Sequence, residues 1–360
     1  MRPPDLRSSS VTLAALLALA GPAWSQPALD RSIVFDVMAG TAPGVGARAA
    51  AMGDAQVAVA TDTTAFYWNP AGLAFDRARG WHTPSVRYCS TDLPFFDLRD
   101  MLDVSHSEGD IGAGDFRLLQ HYEGRTVRAG GSAMMAWRED NLVAGAYVQG
   151  VGAMRVEDIG QQRISLVGWG LDATCLGLAY GDNWRDDLAW GVQGGLLRGG
   201  FGRSWGQVQD QGGPSYPSTI GHVTDHANGF NINAGIMYRP NERVSIGLVG
   251  RNLNSPTLHF SRDAALSFRP SVHLGVAVFS DDGRTVGAAD LHNALDSNDQ
   301  GGVFCIGVEH QVSGDLALRA GLNGGDLRFG AGYRSGDWHL EFAAAPDLAE
   351  ELALSAWAEH

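Results

Sequence analysis

Several groupings of residues in this sequence have types and spacings that could carry chemistry. His222 and His226 are spaced like a metal-binding pair on one helix face, with Asp225 beside them. They lie in a stretch rich in glycine, proline and serine, which predicts a loop and offers no third ligand. Asp186-Asp187, Asp281-Asp282 and Glu350-Glu351 are paired carboxylates of the kind that perform acid–base work. All three pairs fall in or beside expected turns, where solvated charge is the simpler reading. Cys89, Cys175 and Cys305 are far apart and odd in number, so they read as single small residues in strands rather than a disulfide framework. Gly44-Val45-Gly46-Ala47-Arg48-Ala49 matches a dinucleotide-binding fingerprint, but that motif needs βαβ units behind it and none follow. The sequence suggests no serine–histidine pairing. The reading is therefore of a protein that is not an enzyme, with no catalytic residue, metal or cofactor assigned.

Composition excludes further classes. The 26 basic residues are all arginine. Without lysine there is no phosphate-gripping P-loop lysine, no kinase-type lysine and no Schiff base. The net charge of -14 argues against nucleic acid as a partner. Glycine is abundant, at 48 of 360 residues, and charged residues make up only 18% of the chain.

The elements that must position any site are strands. From about residue 80 the sequence alternates apolar residues with small or polar ones. Ile232, Ala234, Ile236 and Tyr238 share one face, against Asn231, Asn233, Gly235 and Arg239. The same period of two recurs at Val244, Ile246 and Leu248; at Val272, Leu274, Val276 and Val278; at Leu316, Leu318 and Ala320; at Leu327, Phe329, Ala331 and Tyr333; and at Trp338, Leu340 and Phe342. The opposite face carries charges and glycines, as a wet or plugged lumen would, so the pattern predicts a transmembrane barrel rather than a soluble sandwich. Tyr238, Phe279, Tyr333, Trp338 and Trp357 are expected near the membrane interfaces. Short turns are expected on one side at Pro240-Asn241-Glu242, Asp281-Asp282-Gly283, Asn323-Gly324-Gly325 and Ser335-Gly336-Asp337. A long connection is expected over roughly 199–229. Arg239, Arg243, Arg251, Arg319, Arg328 and Arg334 point inward on this reading, paired with acids across the lumen. At ~10 residues per tilted strand, residues 80–360 accommodate about 12–16 strands, and barrels of this kind are usually even-numbered. The expected fold class is all-β, a transmembrane antiparallel β-barrel of about 14 strands with an N-terminal plug segment.

The N-terminus reads as a secretory signal over residues 1–25. Arg2 and Arg7 precede the apolar run Val11 to Ala20, Gly21-Pro22 breaks it, and Ala23 and Ser25 are small residues before Gln26. No later stretch has the length of apolar sequence that a membrane helix requires. Residues 26–79 form the expected plug, with an Asn-Pro-Ala turn, and residues 80–360 the barrel. Within the plug, Gly46-Ala47-Arg48-Ala49, Met52-Gly53-Asp54-Ala55, Ala58 to Asp62 and Tyr67-Trp68-Asn69-Pro70-Ala71-Gly72-Leu73 resemble the start of PorV/PorQ-type outer-membrane proteins. The Asn-Pro-Ala element also resembles the N-terminal segment of FadL-type fatty-acid transporters. Gly247 to Leu253 and the strands through residue 344 resemble the C-terminal barrel half of the same proteins.

The resemblance implies a fourteen-stranded barrel in the outer membrane of a Gram-negative-type bacterium, with the plug tucked into the lumen. Its FadL side implies passive transport of hydrophobic molecules. Its PorV side implies an accessory barrel that binds or shuttles exported protein cargo. A purely structural membrane protein is the remaining alternative. The expected partners are outer-membrane lipid and either a hydrophobic small molecule or secreted cargo. The residues expected to form the plug and its gate are Phe66, Tyr67, Trp68, Asn69, Pro70, Ala71 and Gly72, with the three aromatics touching the guest. Barrels of this kind commonly end on an aromatic residue, and here Trp357 stands back from the terminus. Mass spectrometry of the mature protein should find its N-terminus near Gln26; a membrane-embedded product that retains residues 1–20 would refute the signal reading.

Overall fold

The computed structural model describes residues 43–91, 97, 100, 104, 110–158, 160, 163–210, 215–216, 218–260, 265–295, 301–346 and 351–359. The expected signal segment and the first part of the expected plug lie outside these. Fourteen antiparallel strands close into a barrel. In chain order they are β1 (Ala78–Thr91), β2 (Thr126–Asp140), β3 (Leu142–Asp158), β4 (Arg163–Arg185), β5 (Leu188–Gln209), β6 (Ser218–Asn241) and β7 (Val244–Arg251). They continue with β8 (Ser271–Phe279), β9 (Thr285–His292), β10 (Val303–Gln311), β11 (Leu316–Asn323), β12 (Asp326–Ser335), β13 (Trp338–Ala344) and β14 (Glu351–Glu359). Each pairs with its sequence neighbour, and β1 pairs with β14 to close the ring. Closure leaves no unpaired edge, which lets an all-strand structure satisfy its backbone within lipid.

The alternation read from the sequence sets the register. Phe230, Ile232, Ile236 and Tyr238 are exposed on the outer face of β6, while Asn231 and Asn233 between them are buried inside. Leu274, Val276 and Val278 of β8, Phe304, Ile306 and Val308 of β10, and Leu340 and Phe342 of β13 continue the outer band. On β6 the band runs from Phe230 to Tyr238, which spans roughly 20 Å on a strand tilted by about 45°. At its lower edge, near the start of β1, the end of β14 and the short turns, stand Trp81, Trp184, Tyr238, Tyr333 and Trp338. Trp81 packs against Trp137 and Trp184 against Trp190. Two of the expected interface aromatics face the other way. Phe279 packs inward, and Trp357 is a buried lumen residue stacked between His82 and His339.

The expected long connection over 199–229 is largely strand. Residues 199–209 and 218–229 are the upper halves of β5 and β6, whose ladder is continuous from Leu188↔Tyr238 to Val208↔Ser218. Glycines at 199, 200, 202 and 206 blank out the alternation that would have betrayed a strand. His222 and His226 therefore sit on a strand and not on a helix face, and no metal-binding group appears among the described residues. The turn at Asn323-Gly324-Gly325 is short but joins β11 to β12 at the opposite end from the other three.

Above the apolar band, β3 to β6 stand as a tall wall. The connection between β1 and β2 folds against its outside. Helix α2 (Ala113–His121) places Phe116, Leu119 and the following Tyr122 on Val127, Val156, Ile164, Leu166 and Val208. Ile111–Gly112 pairs with Ser215–Tyr216 at the tip of the β5–β6 hairpin, and the Phe116 and Tyr216 rings stack at 4.1 Å. The ring is closed by ionic bonds as well as ladders. Arg87 of β1 donates to Glu351 of β14 at 2.7 Å, with both side chains almost fully buried. Replacing Arg87 with Met leaves the buried Glu351 to Arg328 alone and takes from Asp54 its arginine partner, a loss of a few kcal/mol, up to the ~3–5 kcal/mol of a fully broken buried pair. The temperature at which the folded gel band converts to the unfolded one should drop clearly, and an unchanged conversion temperature would count against this closure.

Candidate functional site

The plug begins with α1 (Ala47–Ala51), a single buried alanine-rich turn entered through Gly46 at φ 92° and left through Gly53 and Asp54 at φ 61° and 67°. Small residues are needed because the helix lies directly against the inner wall, with Ala50 and Ala51 packed on Ala343 and Ala353. Two 3₁₀ turns follow. Asp62 caps the first, Thr63–Phe66, by accepting from the Thr64 amide at 2.7 Å. Asn69 caps the second, Pro70–Ala74, by accepting from the Ala71 amide at 3.2 Å. Pro70 occupies the first position of that turn, where a missing N–H costs nothing. The amide nitrogen of Asn69 donates outward to the carbonyls of Val57 (2.8 Å) and Ile236 (3.3 Å), so the turn is tied to both plug and β6.

The wall makes room by omitting side chains. A Cβ at Gly191 of β5 or Gly181 of β4 would collide with the Pro70 carbonyl, and one at Gly235 of β6 with the Asn69 side chain. Gly247 and Gly275 stand against Val57 in the same way, and Gly307 and Gly321 against Met52. Within the plug, Gly72 lies against the Ala60 carbonyl, where no Cβ could fit.

Charged groups hold the plug from one side. Asp54 accepts from Arg87 (2.6 Å) and from Asn323 (2.8 Å). Arg48 makes a two-pronged bond to Glu309 at 2.9 and 3.0 Å, and Glu309 is shared with Arg319, which reaches Glu341 at 2.8 Å. Burial works against the Arg48 charge, but Glu309 outweighs it and holds the guanidinium above its ordinary value. One oxygen of Asp290 on β9 accepts from the Gln56 and Val57 amides at 2.6 and 2.8 Å. The buried Arg138 of β2 donates to the plug carbonyls of Thr61, Leu73 and Asp76.

Of the six arginines expected to pair across the lumen, Arg319 and Arg328 pair with inward acids. Arg251 and Arg239 instead cover plug aromatics, Tyr67 at 4.3 Å and Phe75 at 4.1 Å. Arg243 bonds Asp281 in the exposed turns, and Arg334 donates to its own turn at Gly336. Glu351 is a buried lumen residue, contrary to its reading as a solvated turn acid.

The three expected contact aromatics divide. Phe66 and Trp68 are buried in the plug, Phe66 against the Tyr147 ring and Trp68 with its indole N–H on the Val45 carbonyl. Only Tyr67 is partly open. Its hydroxyl accepts from Gln149 of β3 at 2.9 Å, its ring stands edge-on to Tyr147 at 5.1 Å, and Arg251 of β7 covers it from the other side. Tyr67 thus bridges the lumen. Above it an apolar column rises along the inner faces of β3 to β6, with Tyr147, Val151, Leu171, Ala173, Leu197 and Ala227. Trp169, Phe201, Phe260 and Phe268 border its upper end. The alternation carried no sign of this column, because its residues come from separate strands and from one loop.

This barrel is similar to solved structures. The toluene transporter TbuX of Ralstonia pickettii matches with a TM-score of 0.53 at 14% identity, over 88% of this chain and 97% of that one. The chain has the fold of these barrels. The Pseudomonas putida toluene transporter TodX matches at 0.50 with 14% identity, over 88% and 96% of the two chains. A Pseudomonas aeruginosa FadL homologue matches at 0.50 with 12% identity, over 89% and 96%. No protein-family model matches this sequence, and neither does any curated protein. The fold shared with TbuX and TodX is that expected from the FadL side of the resemblance.

Replacing Asn69-Pro70 with Gly-Gly removes the cap and both outward bonds of the turn but no strand-to-strand ladder bond. The variant should keep its heat-modifiable gel mobility and show raised leak conductance in planar bilayers. Wild-type conductance with the plug demonstrably displaced would reduce residues 43–77 to packing.

Proposed function

We propose that this protein is an outer-membrane channel for the passive entry of hydrophobic small molecules. It sits in a Gram-negative-type envelope with its chain termini and short turns on the periplasmic side. The observation that carries this reading is the apolar column above Tyr67. A lumen that served only water and ions would gain nothing from lining one side with leucine, valine and aromatic rings, because burying such surface from water is favourable only when it meets other apolar surface. The fold it shares with the toluene transporters TbuX and TodX supports the same reading. The aromatic border fits a flat apolar guest, whose faces and edges find offset and edge-on partners there.

In this reading Tyr67 is the inner gate. Its hydroxyl bond to Gln149 and the Arg251 cover hold it across the foot of the column, and Phe66 and Trp68 fix the backbone beneath it. Asn69, Pro70, Ala71 and Gly72 seat the turn on the wall glycines and keep the gate at its height. A guest that reaches Tyr67 passes when the ring leaves Gln149. The bond is one neutral hydrogen bond of about 1 kcal/mol, so thermal motion opens it often.

The test is uptake of radiolabelled toluene by outer-membrane-intact cells that produce the protein, compared with cells that do not. Uptake should exceed the control. Tyr67→Ala should increase it severalfold, and Gln149→Leu should increase it less. Toluene uptake equal to that of non-producing cells, with the barrel folded in the outer membrane, would sink the proposal.

A further inference from the structure

The connection between β7 and β8 sends a small two-stranded ribbon, Thr257–His259 against Ala265–Ser267, into the top of the apolar column. Leu258 and Leu266 are directly paired and share its inner face, with exposures of 0% and 4%. Leu258 reaches the wall where two lumen-facing positions lack side chains, Gly199 of β5 and Gly229 of β6. One of its methyls lies where a Cβ at Gly199 would be, and the other is 2.8 Å from where a Cβ at Gly229 would be. Both glycines are one strand-neighbour from column residues, Gly199 opposite Ala227 and Gly229 opposite Leu197.

We infer that this ribbon is a movable outer closure of the column, with Leu258 as its knob and the Gly199–Gly229 gap as its seat. The inference rests on the reading of the column as a guest path. Two features separate a closure from fixed packing. The first is how the ribbon is bonded. Among the described residues its hydrogen bonds are internal: the two-stranded pairing, Thr257 to Ser267 at 3.0 Å, and the Phe268 amide to the Pro256 carbonyl at 2.9 Å. Bonds to the barrel are made at its base, where Asn254 donates to the Phe230 carbonyl and accepts from the Ile232 amide, and the Leu253 amide donates to Ile232. The ribbon touches the wall through apolar side chains, which have no directional bond to break and re-form on each movement. The second feature is the base itself. Asn252 and Ser255, on either side of the Leu253–Asn254 anchor, hold φ values of 54° and 48°, in the left-handed region that Asn tolerates and Ser rarely adopts. These two turns bend the chain where it leaves the barrel for the ribbon, and the ribbon can pivot there.

The seat makes the closure selective for small side chains in the wall. Alanine at both 199 and 229 meets both methyls of Leu258 at once, so neither can rotate away from its obstacle into the other gap. Together with Tyr67 below, the knob gives the column two closures in series.

The experiment uses the full chain in intact cells, with C89S/C175S/C305S as background and folding checked by heat-modifiable mobility. A cysteine reporter at Leu266 (L266C) is labelled with a membrane-impermeant maleimide. In the wild-type ribbon labelling should be slow but complete, at least tenfold slower than at the exposed Asp326 (D326C). In G199A/G229A it should accelerate at least fivefold. Initial toluene uptake by G199A/G229A without the reporter should rise severalfold, and Leu258→Ala, which shrinks the knob and leaves the wall intact, should do the same. Three results overturn the closure: no labelling of L266C at long times, labelling as fast as D326C from the start, or accelerated labelling with unchanged toluene uptake. Uptake absent in the wild type would instead reject the transport reading, and the labelling rates would still decide whether the ribbon moves.

Discussion

An inward-facing carboxylate in a barrel that is already filled with protein has little water to turn to. Each one must therefore be met by donors, and the interior of this molecule is arranged around that requirement. Asp54, Asp290, Glu309, Glu341 and Glu351 are each bonded to arginine or to backbone N–H groups. Because the chain has no lysine, the donors on charged side chains are guanidinium forks that bond two oxygens or two partners at once. Arg87 joins Asp54 to Glu351, and Arg48 and Arg319 share Glu309. The plug is held because its own charges are members of these chains.

That requirement divides the lumen. The ionic chains draw on β1 and β9 to β14, and the plug leans on that side. Among the described residues these chains take no member from β3 to β6, whose inner faces carry the apolar column. Glycine serves both halves by different means. On β4, β5 and β6 it lets the Asn69–Pro70 turn press its backbone to the wall, and higher on β5 and β6 it opens the gap that receives Leu258. The tall outer wall needs its own cover, supplied by α2 and the stacked Phe116 and Tyr216 rings.

Much of this was legible in the sequence where one strand carries the whole signal. The outward sets at 232–238, 272–278, 327–333 and 338–342 are local alternations, and each faces out in the structure. The Asn69-Pro70 turn was legible because its cap and its fixed φ are made by adjacent residues. What failed has a common cause. The upper β5–β6 hairpin reads as a loop because glycine has no side chain to mark a face. Glu351 reads as a turn residue because its partners, Arg87 and Arg328, are distant in sequence. The sequence also does not divide Phe66, Tyr67 and Trp68, because an aromatic run looks the same whether it lines a path or packs beneath one; in the structure Phe66 and Trp68 are buried in the plug. The ribbon and its seat join residues 199, 229 and 258, and no short window contains all three.

The Asp54–Arg87–Glu351 chain has a consequence for how the molecule is put together. Its three members belong to the plug, the first strand and the last strand. The first two are 33 residues apart and need only a short loop closed to meet, whereas Glu351 is 264 residues from Arg87. The bond that completes the chain is therefore available only when the final strand has docked in its proper register. Slipping that strand by one residue so that Leu352 takes its place would turn Glu351 to lipid and leave Arg87 facing no acid on the last strand. The same group that seats the plug thus proofreads the seam, so plug placement and ring closure draw on a shared set of charges.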